Sequence, residues 1–316
     1  MKKKFLFCSS VLVLISVILT VSITGSTKED KNDWDAILAD LRTEIRDKGY
    51  TYTVDYNDAC KYSFNQLCGF DPYAVFDSEV NKRAEPSQLW QLGRGLPGRY
   101  IGYYTSVKNQ GGCGSCWAFG MVGSVEGLFL KTMGTEENLS EQWLLDCNPW
   151  GWDCGGGFIN YYMFLNEGAI TENCYPYVAY QKPCNHSCPH LYFIYSWAWV
   201  GNSYSIPPVD NIKQAIMTYG SVAVGVYSSN YHFQTYSGGV FNNCVSNPPN
   251  HCVVLCGWDD NLGAWLLKNS WGPSWGGVDI DESGTVDPDE RGFMWIVYGC
   301  NNVGYAAAYP IPYYGG

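Results

Sequence analysis

The sequence predicts an α+β fold in which a helical half is followed by a β half. Helical signals dominate residues 100 to about 200 of the 316-residue chain, where a long apolar run follows Cys116. From about residue 220 the pattern turns to strands, beginning with the valine-rich run Ser221–Tyr227. The third observation concerns reactive side chains. The helical half contains a cysteine, and the β half contains a histidine and an asparagine. A cleft between two such lobes would bring these three side chains together.

The N-terminus has the pattern of a secretory signal. Lys2, Lys3 and Lys4 precede an apolar stretch from Phe5 to Ile23, so we expect residues 1–25 to be a signal peptide. The stretch is long enough to make an uncleaved membrane anchor the alternative. Fourteen cysteines favour an oxidising compartment, and a net charge of −11 argues against nucleic acid as a partner. The expected location is therefore secreted or extracellular, or an acidic lumenal compartment.

Residues 26–96 predict a short helical region followed by a linker. A helix is expected to begin with Asp33 as its cap and to stop at Gly49. Its apolar face consists of Trp34, Ile37, Leu38, Leu41 and Ile45. Cys60 and Cys68 could pair with each other. Residues 84–98 are rich in proline and glycine, so we expect the linker and a cleavage site there.

The remaining helices and strands follow in order. The central helix is expected to begin near Cys116 and to end near Gly134. Ser140 is expected to cap a short helix through Asp146, and a third helix covers Phe158–Asn166. The predicted strands are Ser221–Tyr227, His251–Trp258, Ala264–Lys268, Gly292–Tyr298 and Tyr305–Pro310.

A nucleophile is predicted in the segment Gln110–Gly120, which holds a Cys-x-x-Cys pair among glycines. The apolar run from Trp117 to Leu130 predicts a buried helix, so Cys116 would lie at or just before its first turn. Unpaired N–H groups and the partial positive charge of a helix N-terminus favour a thiolate over a thiol. The alternatives are a metal-binding or redox pair, or two disulfide cysteines.

Three separated motifs carry a resemblance to a known family. The segment around Cys116 is followed by His251, which opens the run His-Cys-Val-Val-Leu-Cys-Gly-Trp, and by Asn269 in Lys-Asn-Ser-Trp-Gly. With these motifs the chain resembles the papain family of cysteine proteases over about residues 97–316. The resemblance implies a papain-like two-lobe fold. It has a helical left lobe, an antiparallel β-barrel right lobe and the active-site cleft between them.

The resemblance also implies roles for particular residues. Cys116 would be the nucleophile, His251 the general base and acid, and Asn269 the group that orients the imidazole. Gln110 would complete an oxyanion hole with the Cys116 backbone N–H, and Trp271 would shield the His251–Asn269 hydrogen bond. The implied substrate-binding residues are Gly114, Gly156, Gly157, Cys252 and Trp271.

By the same resemblance, residues 26–96 would be a propeptide with its linker, and residues 97–316 the peptidase domain. The segment Leu67-Cys-Gly69 is similar to one in the short propeptide of cathepsin B, and would block the cleft until it is removed. A small helical domain without an inhibitory role is the alternative. The implied disulfides are Cys113–Cys154, Cys147–Cys184 and Cys244–Cys300, with Cys174–Cys188 as an extra bridge.

An acidic segment from Asp279 to Glu290 stands where the family normally runs directly into a strand. It fits the EF-hand calcium loop, with Gly284 at the sixth position. The predicted ligands are Asp279, Asp281, Ser283, Thr285, Asp287 and Glu290. Clustered carboxylates repel one another unless a cation lies among them, so we expect structural Ca²⁺. A solvated acidic turn is the alternative.

These features predict a secreted cysteine endopeptidase that is made as a zymogen and acts through a thioester intermediate. The expected partners are peptide or protein substrates and the chain's own propeptide, without a catalytic cofactor, and a monomer is expected. No acidic residue lies near Tyr305 or Ala306, the expected pocket floor, so a hydrophobic or aromatic preference is expected. The alternatives are a catalytically silent, calcium-dependent binding protein and a transpeptidase that uses the same thioester.

Overall fold

The computed structural model describes residues 28–74 and 95–313. The predicted signal peptide lies outside these residues, and so does the predicted linker and cleavage region except for residues 95–98. Among the helices of the described residues, none combines the length and the apolar character needed to cross a membrane.

Seven α-helices occur in the described residues, and the longest one outside the N-terminal region begins at Cys116. They are α1 (Lys28–Lys48), α2 (Phe64–Leu67), α3 (Cys116–Met133), α4 (Glu141–Cys147), α5 (Tyr162–Asn166), α6 (Val209–Tyr219) and α7 (Tyr231–Gln234). The predicted end of α3 is confirmed, because Gly134 follows it with φ 74°, a left-handed conformation that suits glycine. The predicted cap of α4 is also confirmed, since the Ser140 side chain accepts a hydrogen bond from the Trp143 N–H.

Nine strands form one sheet in the part of the chain that the structure describes. They are β1 (Thr51–Val54), β2 (Arg99–Ile101), β3 (Ser196–Trp199), β4 (Val222–Val226), β5 (Tyr236–Phe241), β6 (His251–Asp259), β7 (Ala264–Lys268), β8 (Phe293–Val297) and β9 (Tyr305–Ile311). Their order is β1-β5-β8-β7-β6-β4-β9-β3, and β2 pairs with β6. The α+β class with a helical part before the sheet is confirmed.

The prediction of a closed antiparallel barrel is wrong in two respects. The sheet is open, because β1 and β3 stand at opposite ends of the strand order and do not pair with each other among the described strands. One pairing, between β5 and β8, is parallel. At one end of the order β1 of the N-terminal region pairs with β5, and at the other end β3 pairs with β9. Each end strand has one neighbour among the described strands, so the strands do not close into a ring.

The N-terminal region, residues 28–74, docks on the sheet and on α7. Leu38 and Leu41 of α1 are buried, and β1 extends the sheet by antiparallel pairing with β5. Gln234 of α7 donates from its side chain to the carbonyls of Ala59 and Tyr62, at 2.8 and 2.9 Å. These contacts fix where the chain enters the cleft.

The predicted cap at Asp33 is wrong, because α1 begins five residues earlier, at Lys28. The sequence from Lys28 to Asp33 contains no glycine or proline that would stop a helix. The apolar face that begins at Trp34 therefore indicates the part of α1 that packs on the rest of the chain. Helix α1 itself extends further towards the N-terminus.

Helix α3 packs closely on the sheet through its glycines. A Cβ built at Gly120 would lie 2.3 Å from the Cys252 sulfur, and one at Gly123 would lie 3.1 Å from a methyl carbon of Val254. Only residues without a side chain at these positions allow β6 to approach so near. The close packing brings the Cys116 thiol, at the start of α3, against the backbone of Cys252, which follows His251 at the start of β6.

The disulfide predictions are confirmed except for one. All four predicted bridges are present: Cys113–Cys154, Cys147–Cys184, Cys174–Cys188 and Cys244–Cys300. Cys60 and Cys68 are free thiols, so the suggestion that they pair is wrong. The Cys68 sulfur instead lies 3.1 Å from Ser228 Oγ of the β half, because its segment continues into the cleft.

Candidate active site

Three buried side chains from different elements meet at one end of the cleft. Cys116 is the first residue of α3, His251 opens β6, and Asn269 follows β7. His251 Nε2–H donates to Asn269 Oδ1 at 2.7 Å, and the Ser270 N–H donates to the same oxygen at 2.8 Å. His251 Nδ1 is buried without a hydrogen-bond partner among the described residues. The imidazole is therefore held by one nitrogen, while the other remains available for proton transfer.

Trp271 covers this histidine from the side. Its ring centre lies 4.8 Å from that of His251, with 34° between the ring planes. The indole is buried, so it excludes water from the neighbourhood of the His251–Asn269 hydrogen bond. A hydrogen bond in a dry environment is electrostatically stronger than one in water.

Gln110 lies opposite the histidine and has a fixed amide orientation. Its Oε1 accepts a hydrogen bond from Ser270 Oγ at 2.7 Å, so its Nε2 must point the other way. Nε2 donates to the carbonyl oxygens of Leu67 at 3.0 Å and of Cys113 at 2.8 Å. Gln110 therefore presents an N–H donor to a peptide carbonyl that lies in the cleft.

That carbonyl belongs to residues 64–74, the cleft segment, in which helix α2 is followed by an extended stretch that crosses the site at Gly69 and Phe70. The Gly69 N–H donates to the Cys116 sulfur at 3.3 Å. Gly157 N–H donates to the Gly69 carbonyl, and Asp71 N–H donates to the Gly157 carbonyl, both at 2.9 Å. These bonds pair Phe70 with Gly157 in parallel orientation. The cleft segment thus occupies the groove at the thiol itself.

Glycines make this close approach possible. A Cβ on Gly69 would lie 1.7 Å from the Gly114 carbonyl oxygen, so no other residue fits at position 69. A Cβ on Gly156 would lie 3.2 Å from the Gly69 carbonyl oxygen, and Gly156 has φ 145°. Of the sequence-predicted substrate-binding glycines, Gly157 pairs with the cleft segment, and Gly114 and Gly156 form its walls.

The Phe70 ring enters a pocket, here called the Phe70 pocket, formed by Phe158, Gly225, Pro249 and Tyr305. Its ring centre lies 5.0 Å from that of Phe158 and 6.4 Å from that of Tyr305. A Cβ built on Gly225 would lie 2.8 Å from the Phe70 ring, so the missing side chain makes room for an aromatic group. The pocket walls are apolar and aromatic.

Cys252, the remaining predicted substrate-binding residue, is fully buried against α3. Its sulfur is the atom nearest to a Cβ built on Gly120. Successive residues of a strand face opposite sides of the sheet, so Cys252 is directed away from its neighbour His251. The structure brings Cys252 to the helix–sheet contact beside the site.

Burial keeps the side chains of Cys116 and His251 neutral in this structure. The loss of water raises the pKa of the Cys116 thiol to about 12 and lowers the pKa of His251 to about 4, because a low-dielectric environment disfavours each charged form. The helix N-terminus therefore does not produce a thiolate in this covered state, contrary to the simplest expectation from the sequence. The ion pair requires an open cleft.

A chain of buried hydrogen bonds connects the two lobes behind the site. Lys268 Nζ donates to Thr105 Oγ1 at 3.0 Å, and Thr105 donates to Glu126 Oε2 at 2.6 Å. Lys108 Nζ donates to Glu126 and to Glu141, at 2.7 and 2.9 Å. Lys268 directly precedes Asn269, and Lys108 lies two residues before Gln110. The network therefore connects the segments that carry Asn269 and Gln110 to α3.

The acidic loop lies apart from these side chains, and three of its six predicted ligands converge. Asp279, Asp281 and Glu290 each offer a carboxylate oxygen, and these oxygens lie within 4.8 Å of one another. The other three make contacts within the loop, as when Ser283 Oγ donates to the Thr285 carbonyl at 3.2 Å. The Asp287 N–H donates to Glu290 at 2.8 Å. The donor set is all oxygen, which suits a hard cation such as Ca²⁺.

Sequence reasoning missed two contributors to the site. Ser270 orients Gln110, and its position inside the Asn-Ser-Trp motif was the available signal. Tyr305 was expected only as a pocket floor, yet its hydroxyl donates to the Pro72 carbonyl of the cleft segment at 3.1 Å. A contact between residues so distant in sequence leaves no local pattern.

Comparisons with known proteins agree with this geometry. Cathepsin K of Mus musculus is 39% identical over 188 residues, which cover 56% of this chain and 55% of that protein. Fruit bromelain of Ananas comosus is 34% identical over 214 residues, which cover 65% of this chain and 56% of that protein. The matches thus span about half the length of these curated relatives.

Solved structures match over nearly the whole chain. The digestive procathepsin L 3 of Tenebrio molitor larval midgut has a TM-score of 0.73 at 25% identity, covering 91% of this chain and 94% of that one. The proform of the ragweed pollen allergen Amb a 11 has a TM-score of 0.74 at 23% identity, covering 93% and 83%. The family model described as papain family cysteine protease matches residues 99–280, which is more than half of the chain. The chain therefore belongs to the papain family of cysteine proteases.

Proposed function

We propose that the protein is a cysteine endopeptidase made as a zymogen. The observation that carries this proposal is a main chain held at the thiol. The Leu67 carbonyl accepts from Gln110 Nε2 at 3.0 Å, and the Gly69 N–H donates to the Cys116 sulfur at 3.3 Å. The cleft segment continues on both sides of this point, from Phe64 to Ala74, which favours cleavage within chains.

In the proposed reaction His251 Nδ1 takes the proton from Cys116, and the thiolate attacks the carbonyl carbon of the substrate. A C–S bond forms, and the carbonyl oxygen gains a negative charge that the Gln110 amide stabilises. The C–N bond then breaks as His251 returns its proton to the departing amine. Water attacks the thioester, releasing the carboxylic acid and restoring the thiol. Asn269 keeps the imidazole oriented throughout.

In this proposal residues 26–96 act as the inhibitory propeptide and its linker, and residues 97–316 as the peptidase domain. The main-chain bonds of the cleft segment with Gly157 support the inhibitory role, since they exclude a second peptide from the same groove. Four disulfides support passage through an oxidising compartment, consistent with secretion. The Phe70 pocket supports a preference for substrates with an aromatic side chain at that position.

Labelling with an epoxide inhibitor of cysteine proteases tests the proposal. We expect one inhibitor molecule to add to Cys116, detected by intact mass and peptide mapping, after cleavage within residues 84–98 and release of the N-terminal region. The intact chain should label far more slowly. Cleaved and released protein that takes up no inhibitor at Cys116 would contradict the proposed function.

Replacing Gln110 by alanine should lower kcat about 10²- to 10³-fold, because one donor to the developing oxyanion is lost. KM should change much less, since the donor acts mainly in the transition state. Peptide hydrolysis by processed protein measures both constants. The control is Gln181→Ala, whose amide donates to the Leu145 carbonyl in the helical half and should leave both constants unchanged. Equal kcat in Gln110→Ala and wild type would contradict the assigned role.

We also infer that the acidic loop binds structural Ca²⁺ through Asp279, Asp281 and Glu290, together with Ser283, Thr285 and Asp287. The convergence of three carboxylates supports this inference. The Arg99 guanidinium donates to the Ile280 carbonyl, so an ordered loop would also hold β2. At a calcium concentration about 100 times Kd, binding should add about 2.7 kcal/mol to the free energy of unfolding.

Chelation of calcium should therefore lower Tm by about 5 °C, as measured by thermal melting of the full chain. Asp279→Asn should remove this calcium dependence, because it removes a charged ligand from the centre of the cluster. Asp289→Asn, a change in the same loop outside the predicted ligands, should retain it. A wild-type melting curve that does not respond to the chelator would leave a solvated acidic turn as the correct description.

A further inference from the structure

The outer end of the groove holds the main chain of the cleft segment through two tyrosine hydroxyls. Tyr305 Oη donates to the Pro72 carbonyl at 3.1 Å, and Tyr204 Oη donates to the Ala74 carbonyl at 2.9 Å. Tyr204 lies in the turn after β3, and Tyr305 is the first residue of β9. Because both acceptors are main-chain oxygens, these contacts do not depend on the side chains of the bound segment.

The two tyrosines continue the wall of the Phe70 pocket. The Tyr204 ring centre lies 6.3 Å from that of Phe158, whose ring stacks on Phe70. The Tyr305 ring stands edge-on to Phe70, with 6.4 Å between the ring centres. After Phe70 the cleft segment forms a turn, in which the Ala74 N–H donates to the Asp71 carbonyl at 3.3 Å. This turn presents the carbonyls of Pro72 and Ala74 to the two hydroxyls.

A cavity of about 410 Å³ lies beside these rings. Ile206, Pro248 and Pro249 give it apolar walls, while Pro72 and Tyr73 of the cleft segment cover part of it. None of the described residues that line it is charged. Such a volume is sufficient for a bulky side chain, and the proline, isoleucine and tyrosine surfaces favour contact with an apolar or aromatic one.

We propose that Tyr204, Tyr305 and this cavity form an outer substrate-binding site. It binds the main chain of a peptide that turns after the Phe70 pocket, and it accepts a bulky uncharged side chain two to four residues beyond the residue in that pocket. A tyrosine hydroxyl can donate to a carbonyl or accept from an N–H, so the site can serve a chain that runs in either direction. This inference rests on the proposed function for its meaning in catalysis, although binding of the cleft segment tests the site by itself.

The binding test uses the intact full chain and the rate at which iodoacetamide labels Cys116. If the tyrosines hold the cleft segment, Tyr204→Phe and Tyr305→Phe should each raise the labelling rate about fivefold, the effect of one lost neutral hydrogen bond. Tyr195→Phe, which alters another exposed tyrosine hydroxyl, should not change the rate. Unchanged labelling in the Tyr204→Phe, Tyr305→Phe double variant would overturn the proposal.

The substrate test uses protein that was folded as the full chain and then processed. Short peptides with an aromatic residue for the Phe70 pocket are compared with the same peptides extended by four residues at either end. We expect extension at one end to raise kcat/KM about tenfold or more in wild type, and Tyr204→Phe to lose about fivefold of this gain while hydrolysing the short peptide as wild type does. A gain that survives in full in Tyr204→Phe, or no gain from either extension, would overturn the proposal.

A failure of the proposed function can be distinguished from a failure of the proposed outer site. Wild-type processed protein would then fail to hydrolyse even the short peptide, and the labelling experiment would decide alone whether Tyr204 and Tyr305 bind the cleft segment.

Discussion

Release of the cleft segment should accelerate alkylation of Cys116 at pH 6 by about a thousandfold or more. In the covered state burial raises the pKa of the thiol to about 12, so almost no thiolate exists. Exposure to water returns the pKa towards an ordinary value of about 8.5, and each pKa unit changes the thiolate fraction tenfold. Protonation of His251 in the open cleft would increase the thiolate further, because a cation beside the thiol favours its charged form.

The difference between the pKa of His251 in the covered state and in the open state predicts that acid favours the open cleft. Burial lowers the pKa of His251 to about 4 in the covered state, whereas an exposed histidine has an ordinary pKa of about 6.5. Below pH 6.5 the open state therefore binds a proton that the covered state does not. Stability of the covered state is fully present above pH 6.5 and is lost as the pH falls towards 4, by up to about 300-fold in the opening equilibrium.

Both effects are measured by the rate of iodoacetamide labelling at Cys116, in intact and in processed protein, between pH 4 and 8. Cys256 provides an internal control, because burial raises the pKa of this thiol to about 12 as well but the cleft segment does not cover it. Cys256 should stay unreactive in both forms. Equal labelling of Cys116 in both forms would mean that the cleft segment does not control access.

Replacing Cys116 by alanine should lower kcat/KM for peptide hydrolysis at least about 10⁴-fold, since removing the nucleophile of a catalytic triad has effects of this size or larger. The matched variant is Cys256→Ala, which removes another buried free thiol. The Cys256 sulfur lies on β6 and donates to the Leu266 carbonyl at 3.6 Å. The Cys256→Ala variant should retain activity within about tenfold.

Product analysis with an added amine separates the remaining alternatives. Hydrolysis by wild type and none by Cys116→Ala supports the endopeptidase. Amide products in place of acids would indicate a transpeptidase that uses the same thioester. Wild-type protein that neither hydrolyses peptides nor labels at Cys116 would indicate a silent binding protein.

Local elements were predicted most accurately where one pattern decides the outcome. The bounds of β7 agree with the prediction, Ala264–Lys268, because a short apolar run begins after Gly263 and ends at the polar residues Lys268 and Asn269. Helix α3 begins and ends as predicted, since a glycine stops it at position 134. The motifs around Cys116, His251 and Asn269 also identified side chains that the fold brings to one place.

The errors concern features that depend on distant residues. The sheet ends with β1 on β5 and with β3 on β9, and no periodicity within a strand reveals its partner. Cys60 and Cys68 are only eight positions apart, but Cys68 is directed towards Ser228 across the cleft. The neutral state of Cys116 and His251 follows from burial by the cleft segment, a tertiary effect that outweighs the local field of the α3 N-terminus.

Strand β1 has a further consequence once the N-terminal region leaves. It bonds along β5 in register from Thr51 with Val240 to Val54 with Tyr236, so its departure bares a row of main-chain donors and acceptors on β5. An unpaired strand edge is a template on which another chain can add. Gly238 and Gly239 lie in this row and offer no side chains to obstruct an incoming strand. Processing would therefore leave β5 as an unpaired edge strand. The tendency of the processed form to associate with other chains would depend on how that edge is covered.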